Sequence, residues 1–480
     1  MGAMFRGFLL VIALFLFACN SDRPAFATAP LSDTLLVVSP SDGGASNDAR
    51  PTLQWTRLIG AGSYRVSVYA DAARAVVVAV HDVRAAGVRL NNVFAEGQEI
   101  YWEVTAYDFF GRFLAQTDLA AFRVVVPPAS FPKLELRVND ADRAQGGYKL
   151  FNIFTIVPPP SGERPTGILL VNGAGEIVWS YLHGEDGFLS DSRVLPNGNL
   201  MFFVRVPVTE TSIRSTAYEM TWDGTFVWQS RDGVNVHHEV APGPGGNYLY
   251  LKFVYQDFMG ESYEGDGLEL VDPATNQVLW EWNIFDHYDP ADWQVPEAAR
   301  PGISRQGADW SHSNAAVWDP DRSLIWVSVR HFDQIIGIKY PEGTIDVVLG
   351  NQGLGGPGLL SHTHAPEVQA DGSILFWNNG NGHSPPESSA RIVTFDTVAK
   401  TAAVTFEWKD HPPFFDFAVG DADRLPNGNI LVTAGVSGRI IEIDEFGDKV
   451  WELAFNSPDH WTYRTDQVPT PLVPSKLKFR

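Results

Sequence analysis

Two short phrases recur from about residue 134 to the C-terminus, and they limit the fold more than any other feature of the chain. One is a polar turn followed by an apolar stretch, closing at Trp179, Trp228, Trp280, Leu349, Trp408 and Trp451. The other is a turn that opens a strand: LPNGNLMFFV from 195, GPGGNYLYL from 243, DPDRSLIWVSV from 319, ADGSILFW from 370 and LPNGNILVTA from 425. Copies of the first lie 43 to 69 residues apart, the length of a four-stranded blade. Such a unit cannot bury its apolar face alone and must stack on its neighbours. Six copies therefore predict an all-β chain with a six-bladed β-propeller over residues 129–480. Residues 148–157 are expected to complete the last blade. Insertions at 284–308 and 350–363 read as rim loops. The glycine-rich GNQGLGGPG of the second lacks the Lys-Ser/Thr ending of a phosphate-binding loop. The best helical stretch, 291–300, is held to about a turn by Pro296.

Ahead of the repeats, residues 33–128 alternate apolar and polar positions in short segments at 51–55, 63–71, 100–108 and 121–126. Polar turns separate them at the spacing of a small β-sandwich. The order Pro-x-Leu-x-Trp, Tyr-x-Val-x-Val, then Tyr-Trp-x-Val-x-Ala-x-Asp resembles a fibronectin type III domain. Its aromatics read as core, and nothing polar in it clusters as a catalytic site would. A spacer or docking role is expected.

At the start, residues 8–17 form an apolar run too short to span a bilayer, which reads as a signal-peptide core. Leu16-Phe17-Ala18-Cys19 resembles a bacterial lipoprotein box, which divides the terminus into a signal at 1–19 and a linker at 20–32, with Cys19 lipidated. Ala25-Phe26-Ala27 offers a competing cleavage site that would release a soluble protein. Asn20 after the cysteine, by resemblance to Gram-negative lipoproteins, points to the outer membrane. The expectation is an exported, periplasmic or outer-membrane lipoprotein that meets the membrane only through its lipid. Cys19 is the only cysteine, so the mature chain has no intrachain disulfide and no thiolate metal site. A net charge of -22 excludes nucleic acid and anionic lipid surfaces as partners, though not a small anion in a locally basic pocket.

Residues 309–340 read as a β-ribbon turning at Asp319-Pro320-Asp321-Arg322. Antiparallel pairing about that turn sets His312 opposite 329 or 330, beside Arg330. A histidine facing a guanidinium suits an anionic oxo group, since Arg binds oxyanions through a rigid fork and His moves protons near neutral pH. Two other hairpins repeat the placement, with His238 eight residues before Gly246 and His364 eight before Gly372. In a radial fold, equivalent strand starts converge on one axis. Alternation along a strand lets only one of His237 and His238 face that axis.

The phrases HHEV, DWSHSNAAVWDPDRSLIWVSVRHFDQIIGI and FAVGDADRLPNGNILVTAGVSGRIIEIDEFGDKVWEL resemble the bacterial arylsulfate sulfotransferase family over roughly residues 145–455. The resemblance implies a six-bladed propeller that passes a sulfuryl group from a phenolic sulfate to a phenol. No nucleotide sulfate donor or other cofactor is used, and one histidine is transiently sulfated. Its partners would be small phenols and aryl sulfates, and a homodimer is a possible assembly. Carried onto this chain, the catalytic set is His364, His312, Arg330 and one of His237 and His238. In the family the sulfated histidine stands in a Gln-His-Thr-Ala phrase, which here becomes His362-Thr363-His364-Ala365. Register selects His364, with His362 as the alternative. Trp310, Phe332 and Trp377 stand near enough in sequence to stack on an aryl ring, or serve as propeller core. His81, His183, His287, His331, His383, His411 and His460 are expected to be bystanders.

Two rival readings follow from the same residues. Three converging histidines with Glu239 or Glu367 could bind Zn or Fe in a metal-dependent lyase or hydrolase, although Arg330 would repel the cation and no metal is expected. A surface lipoprotein that only binds a partner is the other.

Overall fold

The computed structural model describes residues 31–155, 166–183, 187–209, 212–293 and 306–473. The signal and lipobox expectation, with Cys19, lies outside these residues, as does most of 291–300. Among the described residues the regular elements are β-strands and three-residue 3-10 turns, joined by turns and loops. The fold is all-β and propeller-like.

The N-terminal part forms two facing sheets. One orders Gly44–Ser46, Ala120–Val124, Glu99–Tyr107, Ser63–Tyr69 and Val77–Val83; the other joins Val37–Ser39, Thr52–Trp55 and Gly87–Arg89. Alternation drives every second side chain inward, so that Leu53, Trp55, Tyr64, Val66, Trp102, Val104 and Phe122 form one apolar core.

Six sheets follow, antiparallel except where the two-residue strands Ala308–Asp309 and Leu354–Gly355 add in parallel. Their first strands are Thr465–Val468, Phe188–Val194, Val236–Pro242, Ser313–Asp319, Thr363–Val368 and Asp421–Arg424. Contacts run from each of these strands to the next sheet around a ring, so residues far apart in sequence share one axis. The Trp phrases have a specific task. Trp179 Nε1 donates to Trp222 O (3.2 Å), Trp228 to Asn276 Oδ1 (2.9 Å), Trp280 to Pro341 O (2.9 Å), with its neighbour Trp282 on Gly343 O (3.0 Å), and Trp408 to Gly447 O (3.1 Å). Each acceptor lies in the polar turn of the following sheet. Trp451 Nε1 donates to Gly173 O (2.8 Å), in the turn of the first sheet, and so ties the end of the ring to its beginning. A buried indole N–H needs an acceptor, and the next turn supplies it.

Closure differs from the expectation for 148–157. Tyr148–Thr155 belongs to the first sheet, between Thr465–Val468 and Gly167–Asn172. Leu134–Asn139 pairs with Lys449–Phe455 and completes the last sheet from its outer edge. That strand alternates half-buried and exposed positions along its length, as an edge with one wet face does. The sequence reading skipped it because it carries neither phrase.

The two parts are fastened at Glu176. Its buried carboxylate accepts Ser41 N (2.8 Å), Ser41 Oγ (2.7 Å), Ala45 N (3.2 Å) and Asn172 Nδ2 (2.8 Å). A Cβ on Gly44 would stand 2.0 Å from Glu176 Oε2, so the approach requires glycine.

Candidate active site

The inner strands do not run straight. Asp191, His238, His312 and Ala365 have φ of 53°, 56°, 52° and 51°, and the pairing slips between Ser190 and Arg193, His237 and Val240, Ser313 and Ala315, and His364 and Glu367. A bulge at the same level of four sheets re-aims the side chains that follow. Non-glycine residues in the left-handed region carry strain that concentrates at functional sites.

These bulges gather the histidines. The His238 ring lies 5.0 Å from that of His312 and 6.0 Å from Tyr463, between centroids; His364 lies 6.3 Å from Tyr463 on another side. His237 turns away, stacked 4.1 Å from Phe253, its Nδ1 2.8 Å from His238 Nδ1 and its Nε2 3.3 Å from Asp266 Oδ1. Of the two neighbours, His238 is the one in the cluster.

His312 stands just before the strand Ser313–Asp319, and its Nδ1 hydrogen-bonds Asp309 Oδ2. The hairpin pairs Asp319 with Leu324 and Ser313 with Val329, as its turn residues predict, and Arg330 N donates to His312 O (3.3 Å). Arg330 then enters a 3-10 turn, and its Nη2 donates to Phe417 O (3.0 Å) while its buried Nε has no protein partner. A guanidinium only partly satisfied and beside histidines fits an oxyanion.

His364 is buried, and Asn379 fixes its tautomer. The Asn379 amide nitrogen donates to Asp416 O (2.7 Å) and Val419 O (2.9 Å), so its Oδ1 is the acceptor toward His364 Nδ1 at 2.6 Å. Nδ1 therefore carries the proton and Nε2 the lone pair. His362 behaves differently. Half-exposed, it lies toward Asp333 (3.2 Å) and His331.

Electrostatics keep the cluster neutral. Burial, and then the charge of Arg330, hold His312 and His364 well below the usual imidazole range; burial and His312 do the same to His238. Burial draws Arg330 down to about 10 and pushes the carboxyl of Asp309 up to about 6.

Three expected ring contacts are corrected. Trp310 is stacked on Phe285 (4.9 Å), Phe332 is packed between Trp293 and Trp310, and Trp377 stands in the core of the fifth sheet near Phe414. All three are wholly buried and present no face to a ligand. Aromatic surface near the histidines comes instead from Phe188, Trp461 and Phe417, of which Phe188 and Trp461 pack on the buried Phe154 at 4.0 and 6.3 Å and Phe417 lies 5.5 Å from Trp461. Phe417 is half-exposed and holds Arg330 through its carbonyl.

Three further residues join the site without having been singled out. Tyr463 sits between His238 and His364 and donates to Asn314 O (3.0 Å). Arg464 donates to Asp191 (3.0 Å) and Asn314 O (3.1 Å) and pairs with Glu239 (2.6 Å). His331, expected to be a bystander, stands 4.8 Å from His312 between ring centroids, its Nδ1 3.1 Å from Asp309 O. Arg464 also lines a cavity of about 850 Å³, together with Asp191, Arg193, Glu367, Asp421, Asp423 and Asp466. Glu239 is bound to Arg193 and Arg464, and Glu367 to the backbone N of Arg424, so neither reaches the histidines as a metal ligand. Among the described residues a metal-competent set does exist on the His312 side of the cluster: ligand atoms of Asp309, His312 and His331 lie within 4.8 Å of one another.

Comparison with known proteins agrees with the resemblance in the sequence. Residues 161–464 match the family model described as Arylsulfotransferase (ASST). No curated protein matches the chain. Solved structures similar in trace include a protein of unknown function from Bacteroides caccae (14% identity, TM-score 0.45, covering 67% of this chain and 98% of that one). Another is a putative 6-phosphogluconolactonase from Bacteroides uniformis (10%, 0.36, covering 84% and 99%).

Proposed function

The chain belongs to the arylsulfotransferase family, and from that premise we propose that it moves a sulfuryl group between phenols in two steps through a sulfated His364. In the first step the His364 Nε2 lone pair forms an N–S bond as the ester S–O bond breaks. The leaving phenolate then takes a proton. In the second step an accepting phenol loses its proton, attacks sulfur and releases His364. No nucleotide is consumed.

The observation that carries this reading is the bond from His364 Nδ1 to Asn379, which leaves Nε2 as a neutral nucleophile within the field of Arg330. Arg330 would hold the sulfuryl oxygens by its free donors, since transfer with little covalent help depends on positioning and charge. His312 would serve as acid and then base. Asp309 orients it, and the anionic sulfate docked on Arg330 would oppose the guanidinium charge that, after burial, keeps the ring neutral. The aryl group would lie against Phe417 and Trp461. The deciding experiment is brief exposure to an activated aryl sulfate, then peptide mass spectrometry. Sulfate on His364 is expected; sulfate on His362, or on no histidine, overturns the assignment.

We further propose export with lipid on Cys19, supported by the apolar run at 8–17 and the lipobox-like residues, with the fibronectin type III-like sheets as a rigid docking module. Intact mass should find an acylated Cys19 in membranes, against an N-terminus at Thr28 for soluble release.

A further inference from the structure

We propose that Asp309, His312 and His331 bind one divalent transition-metal ion of the zinc type, and that this ion competes with sulfuryl transfer. The binding stands on geometry alone, whereas its effect on turnover rests on the acid-base role given to His312 above.

The three donors come from two short segments that the backbone holds together. His331 N donates to Ser311 O (3.1 Å) and Arg330 N to His312 O (3.3 Å), so the segment carrying Asp309 and His312 is fixed against the 3-10 turn carrying His331. His331 Nδ1 gives its proton to Asp309 O at 3.1 Å, which sets the tautomer and leaves Nε2 with its lone pair. A metal-binding histidine is oriented in this way, by a second hydrogen bond from its other nitrogen to a carbonyl. The ligand atoms lie within 4.8 Å of one another. Ligands about 2.1 Å from a tetrahedral ion stand roughly 3.5 Å apart, so closure requires a shift on the order of 1 Å, within side-chain reach. Two imidazoles and one carboxylate select zinc, cobalt, nickel or copper over calcium and magnesium, which prefer oxygen cages. Three protein ligands leave a fourth position open.

The ion and the transfer reaction are incompatible. Whichever nitrogen of His312 takes the metal, the other retains its proton, so the ring has no lone pair for a phenol. Arg330 sets the strength. Its charge acts on both Asp309 and His312 and repels a cation there, which makes binding modest and sensitive to that charge.

The test is calorimetric titration of chelator-treated, full-length protein with ZnCl2, with the visible absorption of Co2+ as a second readout. One ion per chain is expected, with Co2+ bands of a low-coordinate nitrogen and oxygen site. His331→Ala should lose the binding and the bands, and whatever transfer rate it retains should not fall when Zn2+ is added. Arg330→Gln should bind Zn2+ roughly tenfold or more tightly, an effect that loose surface binding would not show. Equal Zn2+ binding by wild type and His331→Ala, or none by either, overturns the site. Binding that is lost in His331→Ala but never inhibits the wild type overturns the competition and, separately, the role assigned to His312.

Discussion

His364 and Asn379 form a donor and acceptor pair at 2.6 Å, and the two carbonyls that hold the Asn379 amide leave it no other orientation. The histidine proton is thereby committed to Nδ1. Replacing Asn379 with Leu keeps the volume but frees the tautomer, so a large share of rings would place the proton on Nε2. Formation of the sulfated enzyme should slow by roughly 10²-fold, less than the 10⁴-fold known where a wrong tautomer is enforced. Rapid-mixing bursts with an activated aryl sulfate would measure it. An unchanged burst rate would remove Asn379 from the mechanism.

Arg330 and His312 should be separable by the leaving group. Phenol leaves with a pKa of about 10, and protonation by a positioned acid is typically worth about 10²- to 10⁴-fold. His312→Ala should therefore be slowest with unactivated phenyl sulfates and approach wild type with nitrophenyl sulfates. Arg330→Lys keeps a charge and loses the fork, so its deficit should be similar for every donor. A rate series over donors of graded phenol pKa distinguishes these patterns. A constant deficit for His312→Ala would show that it is not the acid.

How legible the site was depended on how local its causes are. His312, Arg330, His238 and His364 could be set at equivalent strand positions from sequence because each hairpin is fixed by its own turn residues, and a turn read correctly sets the register behind it. His237 against His238 could not be decided by alternation, because the bulge after them breaks it. Tyr463 and Arg464 were missed for a topological reason. The strand after them, Thr465–Val468, pairs with Tyr148–Thr155, so the C-terminus supplies the inner edge of the first sheet. No spacing rule links residue 463 to 238. His331 was dismissed as a loop histidine, since nothing in the sequence announces the 3-10 turn that aims it at Asp309. Trp310, Phe332 and Trp377 misled by proximity along the chain, whereas their sizes fitted the gaps between sheets.

The fastening at Glu176 predicts a mechanical weakness. Its carboxylate takes four hydrogen bonds, three of them from residues of the N-terminal sheets. Glu176→Ala leaves those donors unpaired in a buried seam, at a cost of about 2–4 kcal/mol. The two parts should then unfold separately in calorimetry, and limited proteolysis should cut between 126 and 134. A single unchanged transition would show that the apolar seam of Ala45, Val125 and Phe131 suffices.

His237 offers a test of the site's pH dependence. Burial, more than any neighbour, draws it down to about 3, against about 6.5 in an unfolded chain. As pH falls below 6.5 the unfolded chain takes up this proton while the folded chain does not. The contribution to stability is therefore full above 6.5 and is lost progressively as pH falls toward 3, at about 1.4 kcal/mol per pH unit. Asp266, 3.3 Å away, works in the other direction. Burial pushes it up to about 7, so its protonation favours the folded state as pH falls through that value. Asp266 is present in wild type and variant alike, and its effect largely cancels in their difference. His237→Phe, which retains a ring against Phe253 but cannot titrate, should gain stability relative to wild type by about 1.4 kcal/mol for each unit below pH 6.5. Urea unfolding of both proteins at several pH values between 4 and 7 gives that difference directly. A flat difference would mean that His237 is protonated in the folded protein as readily as in the unfolded one, with Asp266 as its counter-ion.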